Sequence, residues 1–180
     1  MAHRAEEIST YDFKSSEALL LDANIWLFVY GPQKPTDTRV AAYSEALAKI
    51  LAAKSCIYIN VLIVSEFVNA YARMKWNLLP ESSRPRYFKQ FRRSEDFKPV
   101  AQDIAADVKR ILQHCTRVES GFELLDITAL VDEYAAGNSD FNDQILTALC
   151  KKKGLKMVTD DADFKGRGIP VITANKRLPR

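Results

Sequence analysis

The chain has 180 residues, with 26 Lys and Arg against 23 Asp and Glu, a formal net charge of +3. That length suits one domain with a sizeable core, and the charge alone is too weak to signal a nucleic-acid partner. No apolar run approaches the length that spans a bilayer, and the three cysteines, Cys56, Cys115 and Cys150, lack the spacing of a disulfide framework or a zinc site.

Residues 1–17 read as a polar lead-in. Their charges fall where a secretory signal needs an apolar core, so the expected location is cytoplasmic, with no membrane partner. Ala18-Leu19-Leu20-Leu21 then reads as a short strand buried on both faces, as inside a parallel sheet. It stops at Asp22, at the carboxyl end where open α/β sheets place their ligands. A bland role is equally open for this one residue, since Asp is a favoured helix cap. Ile25 to Val29 is a short packed helix, and Gly31-Pro32 with Lys34-Pro35 forms a loop. Thr36 or Asp37 caps the next helix, in which Val40, Tyr43, Ala46, Leu47 and Ile50 recur at helical spacing.

Cys56 to Ile59 is a second strand, with Asn60 as a cap for a helix over Leu62 to Trp76. Glu66 lies close to the apolar stripe of that helix, where a charge is costly unless paired or coordinated; support for the helix dipole is the plainer reading. Residues 80–120 form an inserted helical hairpin. Its Arg84, Arg86, Lys89, Arg92 and Arg93 interleave with Tyr87, Phe88, Phe91 and Phe97. Such a mixture suits single-stranded nucleic acid, although core packing accounts for the aromatics more simply. A second basic group, Lys165, Arg167, Lys176, Arg177 and Arg180, crowds the C-terminus.

Phe122 to Leu125 reads as a third strand, followed by a short helix with Leu130, Val131 and Tyr134. Ser139 is placed to cap a helix from Asp140 to Lys153, whose Asp140 and Asp143 share a face, and Gly154 ends it. Leu155 to Thr159 is a fourth strand, running into Asp160-Asp161-Ala162-Asp163-Phe164. Val171-Ile172 is a short last strand. The alternation predicts a three-layer α/β/α domain on a mostly parallel sheet over residues 18–180, with one helical excursion.

Right-handed crossovers bring the carboxyl ends of parallel strands to one side, so Asp22, Glu66, Asp140 or Asp143, and Asp161 or Asp163 should meet. Converging carboxylates repel and take up protons unless a cation joins them. An oxygen-only donor set without His or Cys favours magnesium or manganese, and magnesium commonly takes a substrate phosphate as a further ligand. Phosphodiester hydrolysis is the natural reaction.

These residues resemble the PIN-domain ribonucleases, particularly the VapC-like toxins of type II toxin–antitoxin pairs. The resemblance rests on Leu20-Leu21-Asp22-Ala23-Asn24, on Ile59-Asn60-Val61 with Ser65-Glu66-Phe67, on Asp143-Gln144-Ile145, and on Thr159-Asp160-Asp161-Ala162-Asp163-Phe164. It implies a magnesium-dependent endoribonuclease in which Asp22, Glu66, Asp143 and Asp161 are the catalytic metal ligands and Asp163 is an accessory acid. It also implies an RNA substrate, a small antitoxin partner and a homodimer. Two other classes remain beside it. A non-catalytic PIN-like module would dock RNA or protein, and an aspartyl-phosphate hydrolase would want an acid where Asn24 stands.

Overall fold

The computed structural model describes residues 5–34, 36–137 and 140–178. Six strands form one sheet: β1 (Ala5–Glu7), β2 (Ala18–Leu21), β3 (Cys56–Ile59), β4 (Cys115–Arg117), β5 (Lys156–Val158) and β6 (Val171–Thr173). Their order is β1-β6-β5-β2-β3-β4, and every pairing is parallel. The helices are α1 (Ala23–Tyr30), α2 (Thr38–Ala53), α3 (Val61–Leu78), α4 (Phe88–Phe91), α5 (Phe97–His114), α6 (Ile127–Ala135) and α7 (Phe141–Lys153). Parallel strands need crossovers that cover both faces, which gives the predicted three-layer α/β/α arrangement.

The leucines of β2 meet that requirement: Leu19, Leu20 and Leu21 are completely buried. From β2 the chain winds outward through β3 to β4, then returns to build β5 and β6 on the other side of β2. The order reverses between β2 and β5, and their carboxyl ends open a crevice of the kind that binds ligands in α/β sheets. The helices that begin at this edge start on short polar caps. Asp22, Asn60 and Asp140 each accept a backbone N–H of the helix they precede. Asp140 thus takes the capping role expected of Ser139, which lies outside the described residues.

The expected third strand is corrected. Residues Phe122–Leu124 form a 3-10 turn after Gly121, whose φ of 70° breaks extended backbone. Phe122 and Leu124 face solvent there, so their hydrophobicity reflects no sheet position. The strand is instead Cys115–Arg117, which follows α5 directly and pairs with β3. As an edge strand with only Cys115 partly buried, it carries no alternating pattern to read.

Residues 5–17 are likewise more than a lead-in. β1 adds to the outer edge of β6, and Ile8 and Phe13 enter the core. At the amino ends of β2 and β5, Lys156 Nζ donates to Glu17 Oε1 at 2.6 Å and to the Tyr11 hydroxyl, clamping this segment to β5. Ile8→Ala is therefore expected to cost about 2–5 kcal/mol of unfolding free energy, measurable by urea denaturation.

The helical excursion comprises α4 and α5, which pack against α3 to form an arm. At its tip Trp76 and Phe88 pack at 5.8 Å, Phe91 and Phe97 at 5.3 Å, and Phe91 is buried. The aromatics of this segment serve chiefly as a small core, and Tyr87 is left exposed.

Candidate metal centre

Three connections deliver acids to the crevice. β2 ends at Asp22, β5 runs through Thr159 into Asp161 and Asp163, and the first turn of α7 supplies Asp143. One carboxylate oxygen each from Asp143, Asp161 and Asp163 lies within 4.8 Å of the other two. Magnesium holds oxygens at about 2.0–2.1 Å, so opposed ligands stand roughly 4 Å apart and these three need close only slightly. The donor set therefore fits a hard divalent cation.

Asp22 forms the buried floor beside that triad. Its Oδ1 accepts the Ala23 N–H at 2.7 Å, and its Oδ2 accepts Asn24 Nδ2 at 2.6 Å and the Thr159 hydroxyl at 2.7 Å. Three of about four lone-pair positions are thus filled, leaving one on Oδ1 for a cation or a water. Burial still outweighs these bonds and pushes the Asp22 pKa up, with the charge of Asp161 adding to the rise. The helix-capping and metal-holding readings of Asp22 are compatible, because the cap consumes only one oxygen position.

Thr159 and Asn24 organise the floor, and neither stood out in the sequence as a site residue. The Thr159 hydroxyl donates to Asp22 and accepts from Asn24 Nδ2 at 3.2 Å and from the Asp161 N–H at 3.0 Å. That exhausts its one donor and two acceptor positions and ties the ends of β2 and β5 together. Asn24 also accepts the Asp160 N–H at 3.2 Å. Asp160 itself turns away, accepting from the Tyr43 hydroxyl at 2.7 Å and pairing with Arg39. A hydroxyl two residues before an acid, at a strand end, was the available signal.

Glu66 and Asp143 report the concentration of negative charge. Glu66 is exposed as a whole, yet desolvation of its carboxyl and the charges of Asp22, Asp140 and Asp161 push its pKa up to about 7. Asp143 also rises to about 7, through desolvation and the charges of Asp161, Asp22 and Asp140, against a lowering by Arg167. All four predicted catalytic acids therefore belong to one electrostatic neighbourhood, while among the described residues Asp143, Asp161 and Asp163 form the tight triad. Asp140 caps α7 and contributes charge rather than a ligand.

Two open grooves border the triad, and Ala162 and Asp163 line both. One of about 720 Å³ includes Arg39, Lys176 and Arg177; the other, of about 790 Å³, includes Tyr134 and Lys165. Arg84, Arg86, Lys89, Arg92 and Arg93 are not among these linings. They lie at the arm's tip, where Arg84 stacks 5.7 Å over Trp76, ten residues along α3 from Glu66, roughly 15 Å at 1.5 Å per residue.

Residues 19–170 match the model of the PIN domain family. The chain belongs to that family. No curated protein matches it. PIN domains are generally nucleases and typically use divalent metals, which agrees with the oxygen-only triad at the crevice. In this PIN domain the matched span contains Asp22, Glu66, Asp143, Asp161 and Asp163. Asn24 bonds directly to Asp22 and leaves no second acid there for aspartyl-phosphate chemistry. Among the described residues no helix is long and apolar enough to cross a membrane.

Proposed function

We propose that this PIN domain is a magnesium- or manganese-dependent endoribonuclease and the toxin of a toxin–antitoxin pair. The observation that carries the nuclease reading is the convergence of Asp143, Asp161 and Asp163 oxygens within 4.8 Å, over a buried Asp22, at the sheet's reversal point. Asp143, Asp161 and Asp163 would hold the cation, with Asp22 reaching it through Oδ1 or through a water. When bound, a divalent cation lowers the pKa of a water and offsets charge on phosphate oxygens.

The chain's own residues do the rest. Thr159 and Asn24 lock Asp22 so that it need not reorganise as substrate enters. Glu66, whose carboxyl stands in the field of Asp22, Asp140 and Asp161, would accept the proton of the attacking water on a carboxylate oxygen. Lys165, Lys176 and Arg177 line the grooves on either side and suit the phosphates flanking the cleaved one. The arm's basic residues, Arg84, Arg86, Lys89, Arg92 and Arg93, would engage more distant RNA.

The toxin reading rests on the VapC-like motifs, and with it go a cytoplasmic location, a small antitoxin and a homodimer. The exposed Phe122, Leu124 and Val131 offer apolar surface for such partners. The test is cleavage of single-stranded RNA by the purified protein. Excess chelator is expected to abolish it, added magnesium to restore it, and magnesium alone to raise the melting temperature. Undiminished cleavage in chelator would overturn the reading.

A further inference from the structure

Arg167 has a position that its place in a C-terminal basic run does not explain. Its side chain is only 10 % exposed, and its Nη2 lies 3.6 Å from Asp143 Oδ2. Nε donates to the carbonyl of Asp163, and the guanidinium covers the Phe164 ring at 5.5 Å. The residue is flanked by Gly166 and Gly168, with φ of 75° and 71°, a left-handed pair that bends the loop back toward the acids. A solvated basic tail needs none of this.

The guanidinium is also underused. It carries five N–H donors in a fixed fork, and among the described residues only Nε makes a hydrogen bond. The contact to Asp143 is an ion pair too long to be a hydrogen bond. A nearly buried fork with free terminal donors, beside a carboxylate triad built for a cation, is suited to an anion that arrives with that cation. Planar, bidentate recognition of phosphate is the chemistry Arg performs best.

We propose that Arg167 is the phosphate-binding residue of this site, parked against Asp143 until a divalent cation engages that carboxylate. Its terminal nitrogens then serve a non-bridging oxygen of the phosphate, while Nε and the Phe164 stack hold the fork in place. The charge of Arg167 therefore opposes cation binding, and its fork assists binding of the anion that accompanies the cation. The assignment rests on the nuclease reading for its role in cleavage, but its binding behaviour can be measured without catalysis.

The test compares wild type, Arg167→Gln and Arg167→Lys in three measurements. These are manganese binding by calorimetry, inorganic phosphate binding in saturating manganese, and single-turnover cleavage of a single-stranded RNA. For Arg167→Gln the expected result is tighter manganese binding, because a competing charge is gone, together with phosphate binding weakened about tenfold or more. Cleavage should slow by at least the same factor. Arg167→Lys keeps the charge without the fork, so manganese affinity should stay near wild type while phosphate binding recovers only in part. Weaker manganese binding in Arg167→Gln, or unchanged phosphate affinity, would overturn the assignment. A wild type that binds manganese and phosphate through Arg167 yet leaves RNA intact would sink the nuclease reading and leave this one standing.

Discussion

Asp143→Asn is expected to abolish RNA cleavage and, at pH 8, to make the metal-free protein more stable. The two effects share one cause. Asp143 sits among Asp161, Asp22 and Asp140, and its raised pKa means that the folded protein disfavours its charge despite Arg167 nearby. Removing the charge relieves that penalty in the metal-free protein. The same substitution deletes an anionic ligand from the triad, and a cation's transition-state charge stabilisation is worth several kcal/mol, so a loss of roughly a thousandfold or more is expected. Single-turnover cleavage and thermal melting of the same preparation check both halves. Retained cleavage within tenfold of wild type, or a lower melting temperature in chelator, would contradict this account. A residue needed only for packing cannot give the predicted combination, because its loss lowers stability.

The second large effect is on pH. Glu66 and Asp143 have ordinary values near 4.5 and 3.8 and both rise to about 7 in the folded protein. Between those limits the folded state holds protons that the unfolded chain has released, so stability of the metal-free protein falls as pH rises from about 4 to about 7 and then levels off. Below the lower limit both states are protonated and the penalty vanishes. Asp143, largely buried, accounts for a few kcal/mol at most by the conversion of about 1.36 kcal/mol per pKa unit; solvent screening reduces the share of the exposed Glu66. Saturating magnesium is expected to cancel the decline, since it binds the deprotonated acids. Magnesium affinity should accordingly strengthen as pH rises to about 7 and change little above it, with proton release on binding near pH 6. Melting curves with and without magnesium across pH 4.5 to 8.5 test this. A metal-free protein that gains stability from pH 5 to 7 would refute it.

Much of this could be read from residue order. Three leucines ending in Asp22 announced a doubly covered strand and a carboxylate at its end, and the strand proved central with all three leucines fully buried. The run from Thr159 to Phe164 announced the second wall of the crevice. Local signals worked here because a fully buried parallel strand must be continuously apolar, and the polar residue that ends it stands at the functional edge. They failed at the edges. β1 is three residues, Ala5-Glu6-Glu7, and β4 is Cys115-Thr116-Arg117, too short and too polar to show periodicity. Phe122 and Leu124 looked like a strand because hydrophobicity alone does not distinguish a core position from an exposed one.

The acidic residue types, their places after apolar runs, and hence the preference for a hard cation were determined by the sequence alone. Only tertiary structure decided which acids form the triad, because Asp143 lies on a helix and its distance to Asp161 and Asp163 depends on how α7 packs beside the 3-10 turn at Ala162–Phe164. Packing alone also turned Asp160 away from the triad to Tyr43 and folded Arg167 toward Asp143. The physical reason is that burial and charge pairing are set by neighbours remote in the chain. A short motif specifies which groups are available, and the sheet's reversal between β2 and β5 specifies which of them share one electric field.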